Sequence, residues 1–178
     1  MCGRLEIIMG NMFSGKTSEL IRRIKKHNFI GDSVLVINSG TDTRNEASVL
    51  QTHDKATFEC IKTNNLFEVS TSQLYKTAKV IAVDEAQFFS NLRFFVDRAM
   101  EDKKHVILAG LDGDYQQQVF GELLFMIPLA DTVTKLSAMC MECLDGTQGP
   151  FTKRTVENSK QELVGDVDSY RAVCRKHL

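Results

Sequence analysis

The chain has 178 residues, is 43% hydrophobic and carries a formal net charge of -1. That length suits one domain with a small appendage and allows a real core. The charge excludes a broad basic nucleic-acid footprint, which rests on neutralising many phosphates, and no apolar run approaches the ~20 residues of a membrane span.

The opening residues Met1-Cys2-Gly3-Arg4-Leu5 lack the charged and apolar regions of a signal peptide, so a cytoplasmic protein is expected. Five cysteines, an odd number, argue against a disulfide scaffold in a reducing compartment. Leu5–Met9 is a short apolar run that predicts a buried strand. It leads into Gly10-Asn11-Met12-Phe13-Ser14-Gly15-Lys16-Thr17, which spells G-x-x-x-x-G-K-[ST]. Ser18–Phe29 then predicts a helix, with Leu20, Ile21 and Ile24 on one face and Arg22, Arg23, Lys25 and Lys26 elsewhere. A strand before and a helix after are the context that separates a phosphate loop from an ordinary glycine turn. Its backbone N–H groups and the helix N-terminus favour an anion. Lys16 would reach the β- and γ-phosphates, and Thr17 would place its hydroxyl on Mg²⁺. The motif implies a nucleoside triphosphate but leaves its fate open.

Val34–Ile37, Val80–Val83 and Val106–Leu108 predict further buried strands. Leu92–Lys103 predicts a helix whose inner face is Phe95, Val96, Ala99 and Met100. Strand alternating with helix implies a parallel α/β sheet with right-handed crossovers. The Val80–Val83 run ends in Asp84-Glu85, and in parallel sheets ligands sit beyond the carboxyl ends of strands. Asp84 is placed to help hold Mg²⁺. Glu85 beside it can take a proton from water, giving an ATPase, or from a substrate alcohol, giving a kinase. Two solvated acids capping a strand are the plainer alternative, and the pair alone leaves the reaction open.

From Met139 the texture turns polar and glycine-bearing. Cys140-Met141-Glu142-Cys143 and Cys174-Arg175-Lys176-His177 form a C-x-x-C … C-x-x-H set. Three thiolates and an imidazole make a closed, structural zinc site; free thiols and a terminal histidine are the alternative. The expected division is an ATP-binding α/β domain over 1–138 and a zinc-binding appendage over 139–178, too small for a core of its own.

With these pieces go Asp42-Thr43-Arg44, Thr52-His53-Asp54, Asp84-Glu85-Ala86-Gln87-Phe88-Phe89, Leu111-Asp112-Gly113, Thr152-Lys153-Arg154 and Tyr170 with Cys174-Arg175. Together the motifs resemble the thymidine kinases of human cytosolic and poxvirus type, over nearly the whole chain. The resemblance implies a P-loop, RecA-like parallel sheet with flanking helices and a small C-terminal zinc-ribbon and lasso domain. It implies transfer of the γ-phosphate of ATP to the 5′-hydroxyl of thymidine, giving dTMP. Glu85 would be the base, Lys16 and Arg44 would serve the transferring phosphate, and Gly10 to Thr17 with Asp42 and Asp84 would hold ATP and Mg²⁺. Met12, Phe88, Leu111, Tyr115, Phe120, Thr152, Leu163 and Tyr170 would form the nucleoside pocket, and Cys140, Cys143, Cys174 and His177 would ligate structural zinc. A lasso from about Gly146 to Val164 would close over the base. A homotetramer and feedback inhibition by dTTP are further implications, with neither a membrane nor a nucleic acid as partner. Without the family those aromatics read as core, and His53 has no chemical role.

The sequence departs from that pattern in places. Asn11 stands where the family usually has proline, which predicts a less rigid loop entry, and Tyr115 stands where phenylalanine is common. His177 replaces the usual last cysteine. Two rivals share parts of the motif set: a P-loop ATPase without a nucleoside acceptor, and a zinc-ribbon nucleic-acid module.

Overall fold

The structure is a computed structural model that describes residues 2–41, 49–51, 57–157, 161 and 168–178. In chain order the strands are β1 (Arg4–Gly10), β2 (Val34–Ser39), β3 (Val49–Gln51), β4 (Thr57–Glu59), β5 (Ile61–Thr63), β6 (Val80–Val83), β7 (His105–Leu111), β8 (Thr132–Leu136), β9 (Ala138–Met139), β10 (Gln148–Gly149), β11 (Phe151–Arg154) and β12 (Tyr170–Val173). The α-helices are α1 (Lys16–Phe29), α2 (Leu66–Thr71), α3 (Gln73–Thr77) and α4 (Leu92–Glu101).

A parallel six-stranded sheet runs in the order β5-β2-β6-β7-β1-β8. Its central strands are Val/Ile-rich because both faces are covered. Leu5, Ile7, Ile37, Ile81, Val83 and Leu108 face α2, α3 and α4, where Leu66, Tyr75, Leu92, Phe95 and Val96 pack. Ile8, Val36, Ala82, Ile107 and Ala109 face Leu20, Ile21 and Ile24 of α1. Each fully buried aliphatic side chain contributes about 1.5–3 kcal/mol from removal of its surface from water.

The predicted strands and helices are all present, with adjusted ends. α1 begins two residues early, at Lys16, because Gly15 takes a left-handed turn (φ 84°) and its carbonyl accepts the N–H of Glu19 at 3.0 Å. α4 stops at Glu101 rather than Lys103. Lys103 is left-handed (φ 58°), and Lys104 turns back to donate to the carbonyl of Ala78 at 2.8 Å. The edge strands β5 and β8 escape the apolar-run criterion because one side of each lacks a neighbour. Thr132-Val133-Thr134-Lys135-Leu136 is partly exposed throughout.

The topology places the site. Gly10 and Leu111 are register partners at the carboxyl edge of the sheet, and β6 ends beside them at Val83. β7 lies between β1 and β6, so the phosphate loop and Asp84-Glu85 flank one strand. After β8 the pairing turns antiparallel: β9 with β10, and β11 with β12. Among the described residues no helix is long and apolar enough to cross a membrane.

Candidate functional site

The loop from Gly10 to Thr17 leaves β1 under tight constraint. A Cβ on Gly10 would lie 2.3 Å from the carbonyl oxygen of Leu136 and 2.8 Å from the Ser14 hydroxyl, so only glycine fits. The carbonyl of Asn11 accepts from Ser14 Oγ (2.8 Å) and from the buried ammonium of Lys16 (2.7 Å). Thr17 at the head of α1 donates to Asp84 Oδ2 at 2.8 Å, across the strand between them. Asp84 itself is 2% exposed.

Asn11 does not loosen the loop entry as its replacement of proline suggested. Its side-chain Nδ2 donates to the carbonyls of Gly149 (2.9 Å) and Met12 (3.0 Å), and its Oδ1 accepts the N–H of Ala138 at 3.3 Å. The Met12 N–H donates to Thr152 Oγ1 at 3.0 Å. Hydrogen bonds replace the ring, and they tie the phosphate loop to β9, β10 and β11.

Glu85 follows Asp84 in a left-handed conformation (φ 50°, ψ 41°) and opens a 3₁₀ turn over Ala86–Phe88. A non-glycine residue there costs of order 1–3 kcal/mol and persists only where neighbours over-determine it. One such neighbour is Gln87, whose Nε2 donates to Glu85 Oε2 at 2.7 Å. Gln87 had no role in the sequence reading. The signal for it was a polar residue inside the apolar run Ala86-Gln87-Phe88-Phe89, which if buried requires partners.

The aromatic residues form two sets. Phe88 and Phe120 meet edge to face, ring centroids 5.4 Å apart. Tyr115 and Tyr170 are bridged by Arg154, whose guanidinium carbon lies 3.7 Å from the Tyr115 ring centroid and 5.3 Å from that of Tyr170. Arg154 also donates to the Tyr170 hydroxyl (2.8 Å) and the Gln161 carbonyl (3.0 Å). Gln161 in turn donates to Asp114 Oδ2 at 2.7 Å. Leu111 is tied to Gln87, the neighbour of Phe88 in the chain, through its N–H, which Gln87 Oε1 accepts at 3.0 Å. Asp42, Arg44 and Leu163 lie outside the described residues, as does Thr52-His53-Asp54.

Cys140, Cys143, Cys174 and His177 converge, their ligand atoms all within 4.8 Å of one another. A tetrahedron with Zn–S of about 2.3 Å and Zn–N of about 2.0–2.1 Å sets sulfurs ~3.8 Å apart and sulfur and nitrogen ~3.6 Å apart. Cys143 and Cys174 Sγ are 3.8 Å apart, and His177 Nδ1 is 3.7, 3.5 and 3.4 Å from the sulfurs of Cys140, Cys143 and Cys174. The donor set therefore fits zinc. Burial opposes ionisation of the Cys140 thiol, but the N–H groups of Cys174, Cys143 and Glu142 outweigh it and hold Cys140 at about 6. Burial and the two neighbouring sulfurs push Cys143 up to about 11.

A parallel sheet that presents a phosphate loop with its Lys16, and Thr17 bonded to a strand-end aspartate, defines a P-loop nucleotide-binding protein. Comparison narrows the class. Residues 3–178 match the family model described as thymidine kinase. The chain is 44% identical to thymidine kinase a of Arabidopsis thaliana, over 98% of this chain and 74% of that protein. It is 38% identical to the Variola virus thymidine kinase (98% of this chain, 96% of that one) and 39% identical to the cytosolic thymidine kinase of Cricetulus griseus (97% and 72%). The chain belongs to the thymidine kinase family.

Proposed function

We propose that this chain transfers the γ-phosphoryl group of ATP to the 5′-hydroxyl of thymidine, yielding dTMP and ADP. The observation that carries the reading is the Thr17–Asp84 contact with Glu85 beside it, in a chain that matches the family over residues 3–178. The backbone N–H groups of the phosphate loop and Lys16 hold the triphosphate, Lys16 exchanging the Asn11 carbonyl for phosphate oxygen. Thr17 and Asp84 would hold Mg²⁺ with Asp42, and the bound ion would supply charge neutralisation for the transfer. Glu85 accepts the 5′-hydroxyl proton as the oxygen bonds to phosphorus and the bond to ADP breaks. Because phosphoryl transfer is largely dissociative, that proton leaves late and a well-placed carboxylate suffices. Arg44 would stabilise the charge on the transferring group.

Met12, Phe88, Leu111, Tyr115, Phe120, Thr152, Leu163 and Tyr170 would form the nucleoside pocket. The segment from about Gly146 to Val164 would close over it and exclude water, favouring the sugar over hydrolysis. Support comes from the Arg154 and Gln161 contacts, which draw this segment onto Tyr115 and Asp114. We divide the chain into an ATP-binding unit, 1–138, and a lasso unit, 139–178, in which Cys140, Cys143, Cys174 and His177 would hold one structural zinc. Family membership supports, for this chain, a homotetramer, dTTP as feedback inhibitor and a cytoplasmic location. The exposed Phe67–Phe94 pair, centroids 6.3 Å apart, offers apolar surface for assembly.

The test is phosphate transfer from γ-labelled ATP to a panel of nucleosides, with a no-nucleoside control and the Glu85→Gln variant alongside. Label on thymidine, little on purine nucleosides and loss of most turnover in Glu85→Gln are expected. Free phosphate released equally without nucleoside would install the ATPase reading instead.

A further inference from the structure

We propose that Gln87 is a positioning residue for the phosphoryl transfer, holding the Glu85 carboxylate in its proton-accepting orientation from the nucleoside wall at Leu111. The inference rests on the assignment of Glu85 as base.

Gln87 is 2% exposed, one of few buried polar side chains in this part of the chain. Its two side-chain atoms meet two different elements. Oε1 accepts the N–H of Leu111 at the end of β7 (3.0 Å), and Nε2 donates to Glu85 Oε2 (2.7 Å). A backbone N–H can only donate, so the amide oxygen must face Leu111 and the NH₂ must face Glu85. The direction of the second hydrogen bond is therefore fixed by the first. The amide thus fixes one carboxylate oxygen of Glu85 and leaves the other for the substrate hydroxyl.

The surroundings leave room for this side chain and little else. A Cβ on Gly110 would lie 2.6 Å from Gln87 Oε1, and one on Gly121 would lie 2.0 Å from the Gln87 carbonyl oxygen. Gly121 is also left-handed (φ 62°), a conformation few other residues take. Glycines from two separate segments thus let the backbone close around Gln87. Leu111 heads the Leu111-Asp112-Gly113 segment, so the base and the pocket wall share one rigid amide. An error of about 1 Å in such placement costs up to ~10²-fold in rate.

The experiment compares Gln87→Met, Gln87→Glu and Glu85→Gln with the parent chain, measuring kcat, both KM values, pH dependence and thermal midpoint. Gln87→Met keeps the length but removes the donor. Its kcat should fall roughly ten- to hundredfold with KM for ATP within about twofold. Gln87→Glu should be as slow at neutral pH and recover as pH falls, because the introduced carboxyl, once protonated, can again donate to Glu85. A residue with a merely structural role would give neither the loss of kcat at constant KM nor the recovery in acid. Unchanged kcat in Gln87→Met, with Glu85→Gln inactive, would overturn the role of Gln87 alone. Normal turnover in Glu85→Gln would overturn the base assignment and the role of Gln87 with it. Were Gln87→Met to misfold, the near-isosteric Gln87→Glu decides by the presence or absence of recovery in acid.

Discussion

Two glutamates are held in place by different partners. Glu85 sits in a strained backbone, and its carboxylate is held by an amide. Glu19, in the first turn of α1, is held by two guanidinium groups: Arg22 at 2.5 Å and Arg23 at 2.8 Å. Arg22 is the main reason Glu19 is lowered from 4.5 to about 2, with burial opposing and Arg23 adding. Between those values the unfolded chain binds the proton and the folded chain does not. The stabilisation is therefore complete above pH 4.5 and is lost as pH falls through about 2. Glu19→Gln should lower stability at neutral pH by a modest amount and flatten its dependence on pH between those limits. Urea unfolding midpoints across that interval check this; an unchanged slope would refute the assignment. The phosphate loop, the acid pair and the Cys140, Cys143, Cys174 and His177 set were all legible in the sequence, because each motif is local and its spacing carries the chemistry. Gln87 and Arg154 were not, because their partners, Leu111 and the Tyr115–Tyr170 pair, are distant in the chain.

At the scale of elements, the central strands and the two long helices were readable because burial on both faces, or on one face, imposes a period on the residues. β5 and β8 were hidden because an edge strand faces less apolar surface and imposes less pattern. The joint between the phosphate loop and the C-terminal strands turns on Asn11. Asn11→Ala would remove the side-chain partner shared by the Gly149 and Met12 carbonyls and the Ala138 N–H, at about 0.5–1.5 kcal/mol per hydrogen bond lost. The thermal midpoint should fall by several degrees, at roughly 2–4 °C per kcal/mol for a chain of this size, and KM for ATP should rise. Differential scanning calorimetry and initial rates test both. A drop in midpoint with KM unchanged would mean that the joint supports the fold without shaping the loop.

For the whole molecule, the zinc ligands should behave as a unit. Metal analysis is expected to give about one zinc per chain. Strong chelation should expose the 139–178 segment to proteolysis, at Lys153 and Arg154 among other sites, while the parallel sheet keeps its secondary structure by circular dichroism. A metal-free preparation with unchanged proteolysis and turnover would refute a structural zinc. The sequence by itself determined the nucleotide-binding class, the Cys140, Cys143, Cys174 and His177 set and the four central strands with their two long helices, since hydrophobic period and motif spacing are properties of neighbouring residues. Only the tertiary structure decided that β7 separates the phosphate loop from the acid pair, that Asn11 fastens the loop to the C-terminal strands, and that Gln87 links Glu85 to Leu111. Those contacts join segments that are remote in sequence, and hydrogen bonds between remote groups leave no period to read.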